Sequence, residues 1–264
     1  MNISGVSGYS VLKYPDIEKE VLIFSDIHDG VEYCLDGVFI DEIFKNVHND
    51  IIILLEEVPR LGVELIELFP DAEHTRRLRD LYVSNKYNII GVDLRPYLIP
   101  FSHMKINFEK LSKNESNMSM LEYLNLLEVF FNPEKKRKVK YPLFLENVLN
   151  LLKELESRSG IGRYYNELRD KYNDIKNGFN MEGMFIDNKD KIEVLNKLDD
   201  LLVEIMDWYI LLIIKSKRDD IIIHVGLYHY VNIVSRLKEM GFKELKSDGI
   251  RSLKYLENKS CVRI

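Results

Sequence analysis

The sequence has few cysteines and lacks a long apolar run. Only two of the 264 residues are cysteines, Cys34 and Cys261, so one disulfide is possible but a fold held by several disulfides is excluded. The longest apolar run, residues 208–214, is far shorter than the roughly 20 residues of a membrane-spanning helix. Residues 1–10 lack a basic start followed by an apolar core, so no signal peptide is predicted. We therefore expect a soluble protein of a reducing, intracellular compartment.

The chain also lacks an excess of positive charge. Its formal net charge of −6 argues against broad attraction to nucleic acid, because phosphates are bound by clustered Lys and Arg. One basic run, residues 135–140, allows a nuclear-localisation or phosphate-binding patch, although a solvated loop is the interpretation that we favour. Neither common type of phosphate-binding glycine loop occurs. We expect no specific nucleic-acid partner and no membrane partner.

Four segments share one pattern, an aliphatic run that ends in polar or charged residues. Continuous apolar runs of this length are typical of strands buried on both faces of a parallel sheet. Helix-like stretches at 34–47 and 72–85 separate the first three runs, which predicts crossover connections. The fold class is therefore α/β, with a mainly parallel central sheet flanked by helices. The four predicted strand segments are 21–28, 51–60, 88–95 and 220–229.

Residues 100–218 have a different character, because their apolar positions recur at helical spacing. We predict a large helical insertion at 100–218 before the last core strand. The α/β core then comprises 1–99 and 219–264, and the two parts form one composite domain. After the last strand, an apolar face from Val231 to Met240 predicts a helix that ends at Gly241.

The polar residues that follow the predicted strands are the candidates for a functional site. In parallel sheets of this kind, sites lie outside the carboxyl ends of the strands. Histidines and carboxylates gathered there suit a divalent metal, or a general base acting on water, and favour hydrolysis over redox or group transfer. The candidates are Asp26, His28, Glu56, Glu57, Asp93, Arg95 and His229.

Each candidate also has a purely structural interpretation. Charged residues after a buried strand are common, since the chain enters solvent there, and Asp93 and Arg95 suit a structural ion pair equally well. His224 lies within an apolar run, which favours a hydrogen-bonded core histidine. His48, His74 and His103 have no companion motif and are predicted at the surface. Cys34 is predicted to be a small buried apolar residue rather than a nucleophile.

The segment 21–30 resembles the opening motif of the calcineurin-like metallophosphoesterases, in which Asp-x-His after the first strand binds two metals. Asp26 and His28 match that motif. The further motifs of that family, Gly-Asp-x-x-Asp, Gly-Asn-His-Asp/Glu and Gly-His-x-His, are missing. This resemblance therefore accounts for the first strand alone.

A second resemblance covers more of the chain. Gly-Leu-Tyr-His at 226–229 is similar to the C-terminal Gly-x-x-His motif of a superfamily that includes the TraB/PrgY proteins, the Tiki metalloproteases, the erythromycin esterases and the ChaN haem-binding lipoproteins. His28, Glu56 (or Glu57) and His229 match the superfamily's His, Glu and His in the same order. Gly91, Asp93 and Arg95 resemble its Gly-x-Asp strand. Ser25 stands where the first Gly-x-x-His motif has glycine.

Uncharacterised members of this superfamily from large DNA viruses resemble the chain further. They share a His followed by a Cys, then a Leu-Glu strand end, then Asp-x-Arg, as at 28–34, 54–59 and 92–95. The resemblance implies host cytoplasm or virion as the location. It also leaves open a catalytically inactive scaffold that contacts a virion or host protein.

The resemblance implies a hydrolase of the Tiki or erythromycin-esterase type acting on a small molecule or a peptide. Glu56 would be the general base, with Glu57 as the alternative, and His28 and His229 would polarise the substrate or, with Glu56, bind Mn, Co or Zn. The remaining roles follow the same resemblance. Arg95 would bind the substrate, Tyr228 would line or block its site, and Asp26 and Asp93 would orient the histidines. Haem binding is the ChaN-like alternative.

Overall fold

The computed structural model describes residues 1–27, 32–60, 72–84, 88–98, 120–132, 143–159, 162–182, 188–250, 252–253 and 259–263. The chain divides into two compact units. The first unit comprises Met1–Pro59, Leu68–Asp93 and Lys217–Ile264, and the second comprises Arg60–Glu67 and Leu94–Ser216.

The first unit contains the strands and three of the helices that the structure describes. In chain order these are β1 (Asn2–Ser4), β2 (Gly8–Tyr14), β3 (Lys19–Asp26), β4 (Glu32–Tyr33), β5 (Val38–Phe39), α1 (Ile40–Lys45), β6 (Ile52–Leu55), α2 (Glu73–Val83) and β7 (Ile89–Gly91). After the helices of the second unit come β8 (Ile221–Gly226), a helix over Leu227–Glu239, β9 (Lys243–Gly249) and β10 (Lys259–Arg263).

The main sheet has six strands among the described residues, in the order β7-β6-β8-β3-β2-β9. The four strands from β7 to β3 are parallel, as the apolar runs predict, and the α/β fold class is confirmed. The strands β2 and β9 extend the sheet in antiparallel orientation, which the sequence did not indicate. For β9 the reason is that its side chains are mostly exposed and show no apolar alternation.

A second, smaller sheet has the strand order β4-β10-β1-β5 among the described residues. Its strand β10 is tied to the segment after β4 by a disulfide between Cys34 and Cys261, whose Cα atoms are 5.1 Å apart. The disulfide that the sequence allowed is therefore present, and the prediction of Cys34 as a small buried apolar residue is wrong, because Cys34 is half-buried and disulfide-bonded. Disulfides are typical of oxidising compartments, so this bond does not support the predicted reducing location.

The two faces of the main sheet carry different helices. An apolar cluster joins Phe24 and Leu55 of the sheet to Phe44 of α1 and Leu78 of α2. The helix over Leu227–Glu239 contacts β3 and β8 through residues outside that cluster, on the opposite face. That helix follows β8 without a loop and ends before Gly241, whose φ of 93° suits glycine, as predicted.

The second unit is helical in the part of the chain that the structure describes. Its helices are α3 (Arg95–Leu98), α4 (Met120–Phe131), α5 (Leu143–Ser159), α6 (Gly162–Glu182) and α7 (Asn188–Ser216), and the helix after β8 is α8 (Leu227–Glu239). Its core includes stacked and edge-on aromatic rings, such as Phe131 on Tyr172 and Phe130 on Trp208. Across the described residues, every helix is too short or too polar to cross a membrane. The basic run 135–140 and His103 lie outside the described residues.

Candidate functional site

The carboxyl ends of the parallel strands lie at one edge of the main sheet. Asp26, the last residue of β3, pairs in register with Gly226, the last residue of β8. Leu55, the last residue of β6, pairs with His224 on one side and with Gly91 on the other. The residues that follow these strands therefore leave the sheet side by side, which is the arrangement in which α/β sheets bind ligands.

Glu56 and His229 form the first polar group at this edge. Glu56 follows β6 directly, and its Oε2 accepts a hydrogen bond of 2.8 Å from the backbone N–H of Gly226. Its other oxygen, Oε1, lies 3.7 Å from Nε2 of His229, in the first turn of α8. The side chains are 15% and 5% exposed, so the pair is largely but not fully removed from water. The positive end of the α8 dipole adds to the attraction for the Glu56 carboxylate.

Glu57, the next residue, has a different environment from Glu56. Burial raises the pKa of its carboxyl to about 7, because desolvation disfavours the charged form. The cation of Arg79 opposes this rise, whereas the nearby carboxylates of Asp93 and Glu56 add to it. Asp93 is itself buried, and its backbone N–H donates to the Glu57 carbonyl at 2.9 Å. Glu57 is therefore half-protonated near neutral pH.

Asp26, His74 and His224 form a second polar group, which we call the Asp–His–His cluster. Nε2 of His74, in α2, lies 2.6 Å from Oδ1 of Asp26, and neither side chain is exposed. The rings of His74 and His224 are 6.0 Å apart between centroids. One candidate ligand atom from each of the three residues lies within 4.8 Å of the other two. These three side chains could hold a metal ion.

Two neighbours fix the orientation of the histidines in the cluster. Nε2 of His224 donates to the carbonyl of Gly5 at 2.9 Å. Nδ1 of His74 lies 3.0 Å from the hydroxyl of Tyr33. Gly5 has a φ of 88°, and a Cβ on it would lie 2.6 Å from Cβ of His74, so only glycine fits without displacement.

The environment of only one histidine in this cluster was predicted correctly from the sequence. The prediction of His74 at the surface is wrong, since its side chain is fully buried against Asp26. An isolated histidine on an amphipathic helix carries no signal for such a role. The prediction of His224 as a hydrogen-bonded core histidine is confirmed, as is the exposure of His48, whose side chain is 76% exposed.

The other predicted site residues are distributed between the two units. Tyr228 is 44% exposed, and its ring lies edge-on to the ring of His229 at 6.4 Å between centroids. Arg95 belongs to the second unit, where its charge opposes the rise in the pKa of Asp199 that burial produces. His28 lies outside the described residues, so its predicted place beside Glu56 and His229 stays a prediction.

Comparisons with family models, with curated proteins and with solved structures gave no match to this chain.

Proposed function

We propose that the chain is a hydrolase of the Tiki or erythromycin-esterase type, with Glu56 and His229 at its reaction centre. The observation that supports this proposal is the approach of Glu56 Oε1 to His229 Nε2, at 3.7 Å, at the carboxyl edge of the sheet. Glu56 follows β6 and His229 lies in α8, so the two residues are far apart in the sequence. A carboxylate and an imidazole at this separation can both contact one water or substrate oxygen that lies beside them.

The two oxygens of Glu56 have different tasks in this proposal. Oε2 is held by the backbone N–H of Gly226, which fixes the carboxylate in place. Oε1 takes a proton from a water molecule as that water attacks a carbonyl carbon. The imidazole of His229 polarises the carbonyl oxygen and stabilises the negative charge that develops on it. When the intermediate collapses, the C–O or C–N bond breaks, and Glu56 returns its proton to the leaving oxygen or nitrogen. Tyr228, exposed beside His229, packs against the substrate.

The substrate class in this proposal is an ester, a lactone or a peptide bond, in a small molecule or a peptide. A version with Mn, Co or Zn bound by His28, Glu56 and His229 is compatible with the same residues, and the metal would then polarise the carbonyl. The membership of the chain in the Tiki and erythromycin-esterase superfamily, and a viral origin, are parts of this proposal and rest on the sequence motifs.

The proposal is tested by incubating the purified chain with p-nitrophenyl esters, lactones and a peptide library, and by detecting products with mass spectrometry. We expect turnover by the wild type and a loss of about 100-fold or more in Glu56→Gln and in His229→Gln, the usual size of a general acid–base contribution. The matched controls are Glu18→Gln and His48→Gln, both at exposed positions, and they should retain the wild-type rate. A folded wild type that hydrolyses none of these substrates would favour the inactive scaffold instead.

A further inference from the structure

We propose that Asp26, His74 and His224 form a binding site for one divalent transition-metal ion, separate from the Glu56–His229 pair. Two imidazoles and one carboxylate are a ligand set that suits zinc, cobalt and other borderline metals. Their candidate ligand atoms lie within 4.8 Å of one another, and all three side chains are buried.

The hydrogen bonds of the two histidines define which nitrogen would bind the metal. A carbonyl oxygen only accepts, so His224 carries its proton on Nε2, towards Gly5, and would coordinate through Nδ1. His74 has the hydroxyl of Tyr33 at Nδ1 and would coordinate through Nε2. Metal-binding histidines almost always place their second nitrogen on a carbonyl, a carboxylate or a water, as His224 does on the Gly5 carbonyl.

To accept an ion, the three ligand atoms must shift from separations of at most 4.8 Å to nearly equal distances from one another. Tetrahedral ligands at about 2.0–2.1 Å from a metal lie roughly 3.4 Å from one another. The 2.6 Å contact between His74 and Asp26 would therefore open by less than about 1 Å as the metal replaces the proton shared between them. Three protein ligands leave a further coordination position for a water molecule or another small ligand.

The metal would connect three separate parts of the first unit. Asp26 ends β3, His224 lies in β8, and His74 lies in the first turn of α2. A ligand that binds only the folded state stabilises it. The proposed ion therefore fixes α2 on the sheet, and its effect on stability is measurable without any knowledge of the substrate.

The test uses Co²⁺ as the probe, added to wild-type protein that has been dialysed against a chelator. We expect the Asp–His–His cluster to bind one equivalent of Co²⁺, with visible d–d absorption and a rise in the melting temperature. Asp26→Asn and His224→Asn should weaken binding by at least about 100-fold, and Tyr33→Phe by about 10-fold, within the range for loss of an outer hydrogen bond. His48→Gln should bind as the wild type does.

Variants of the other site separate this inference from the proposed function. Glu56→Gln and His229→Gln should lose hydrolysis but keep the Co²⁺ spectrum of the Asp–His–His cluster. Wild-type protein that binds no Co²⁺ would overturn the inference, and so would binding that is lost in His229→Gln and retained in Asp26→Asn.

A measurement on folded protein covers the case in which the buried variants do not fold. In proton NMR of the Co²⁺-loaded His229→Gln variant, each coordinating imidazole gives one hyperfine-shifted, exchangeable N–H signal. Two such signals are expected, from His74 and His224. Fewer than two would overturn the inference.

Discussion

Nε2 of His74 lies 2.6 Å from Oδ1 of Asp26, and both side chains are completely buried. Replacing His74 with Leu should lower the free energy of unfolding by about 3–5 kcal/mol in chelator-treated protein, because a buried carboxylate loses its hydrogen-bonding partner. Urea denaturation measures this change. His48→Leu is the matched control at an exposed histidine and should change stability by less than about 0.5 kcal/mol. Equal effects of the two substitutions would contradict the importance of the contact.

Gly5 should be less tolerant of substitution than Gly241, although both have a positive φ. In Gly5→Ala the new Cβ meets Cβ of His74 at 2.6 Å, whereas the nearest atom to a Cβ at Gly241 is 3.8 Å away, on Tyr14. Gly241→Ala should therefore cost only backbone strain, about 1–2 kcal/mol, and Gly5→Ala should cost more. Thermal unfolding of both variants gives the comparison. Similar melting temperatures would show that the loop around Gly5 yields to the new methyl group.

The ionisation of Glu57 should lower the free energy of unfolding as the pH rises from about 4.5 to about 7. Burial raises its pKa to about 7 in the folded state, so the unfolded chain ionises first and is favoured across that interval. The loss should reach about 3 kcal/mol above pH 7. Glu57→Gln should remove this part of the pH dependence, whereas the exposed Glu18→Gln should leave it unchanged. Urea midpoints at pH 4.5, 6 and 7.5 provide the measurement, and a parallel loss in Glu57→Gln would be the contrary result.

The disulfide between Cys34 and Cys261 closes a loop with a sequence separation of 227 residues. Its removal in Cys34→Ser/Cys261→Ser should lower stability by about 2–5 kcal/mol, because the unfolded chain regains conformational freedom. Wild-type protein purified without reductant should show no reactive thiol when unfolded in a thiol-reagent assay. Two reactive thiols in that assay would show that the bond does not form under those conditions.

The sequence predicted those features that depend on local pattern. The isoleucine-rich runs before Glu56 and within β8 have no helical or alternating period, which indicated buried parallel strands. The rule for the carboxyl ends of such strands then indicated Glu56 and His229, which the structure places 3.7 Å apart. Both inferences needed only the order of residues along the chain.

The features that the sequence did not predict depend on tertiary contacts. His74 is one polar residue on an amphipathic helix, and only the packing of α2 on the sheet brings it to Asp26. Strand β9 is exposed along most of its length, so its pairing with β2 has no counterpart in an apolar pattern. The pairing of Cys34 with Cys261 depends on β10 lying beside β4.

Hydrolysis in water enriched in oxygen-18 tests the central claim most directly. Glu56 is proposed to activate a water that attacks the substrate carbonyl, so each turnover by the wild-type protein should place one oxygen-18 atom in the new carboxylate of the acid product. The Glu56→Gln variant, whose side chain keeps an acceptor for the Gly226 N–H, should form labelled product at least about 100-fold more slowly than the wild type. Labelled product formed at the wild-type rate by folded Glu56→Gln would contradict the account.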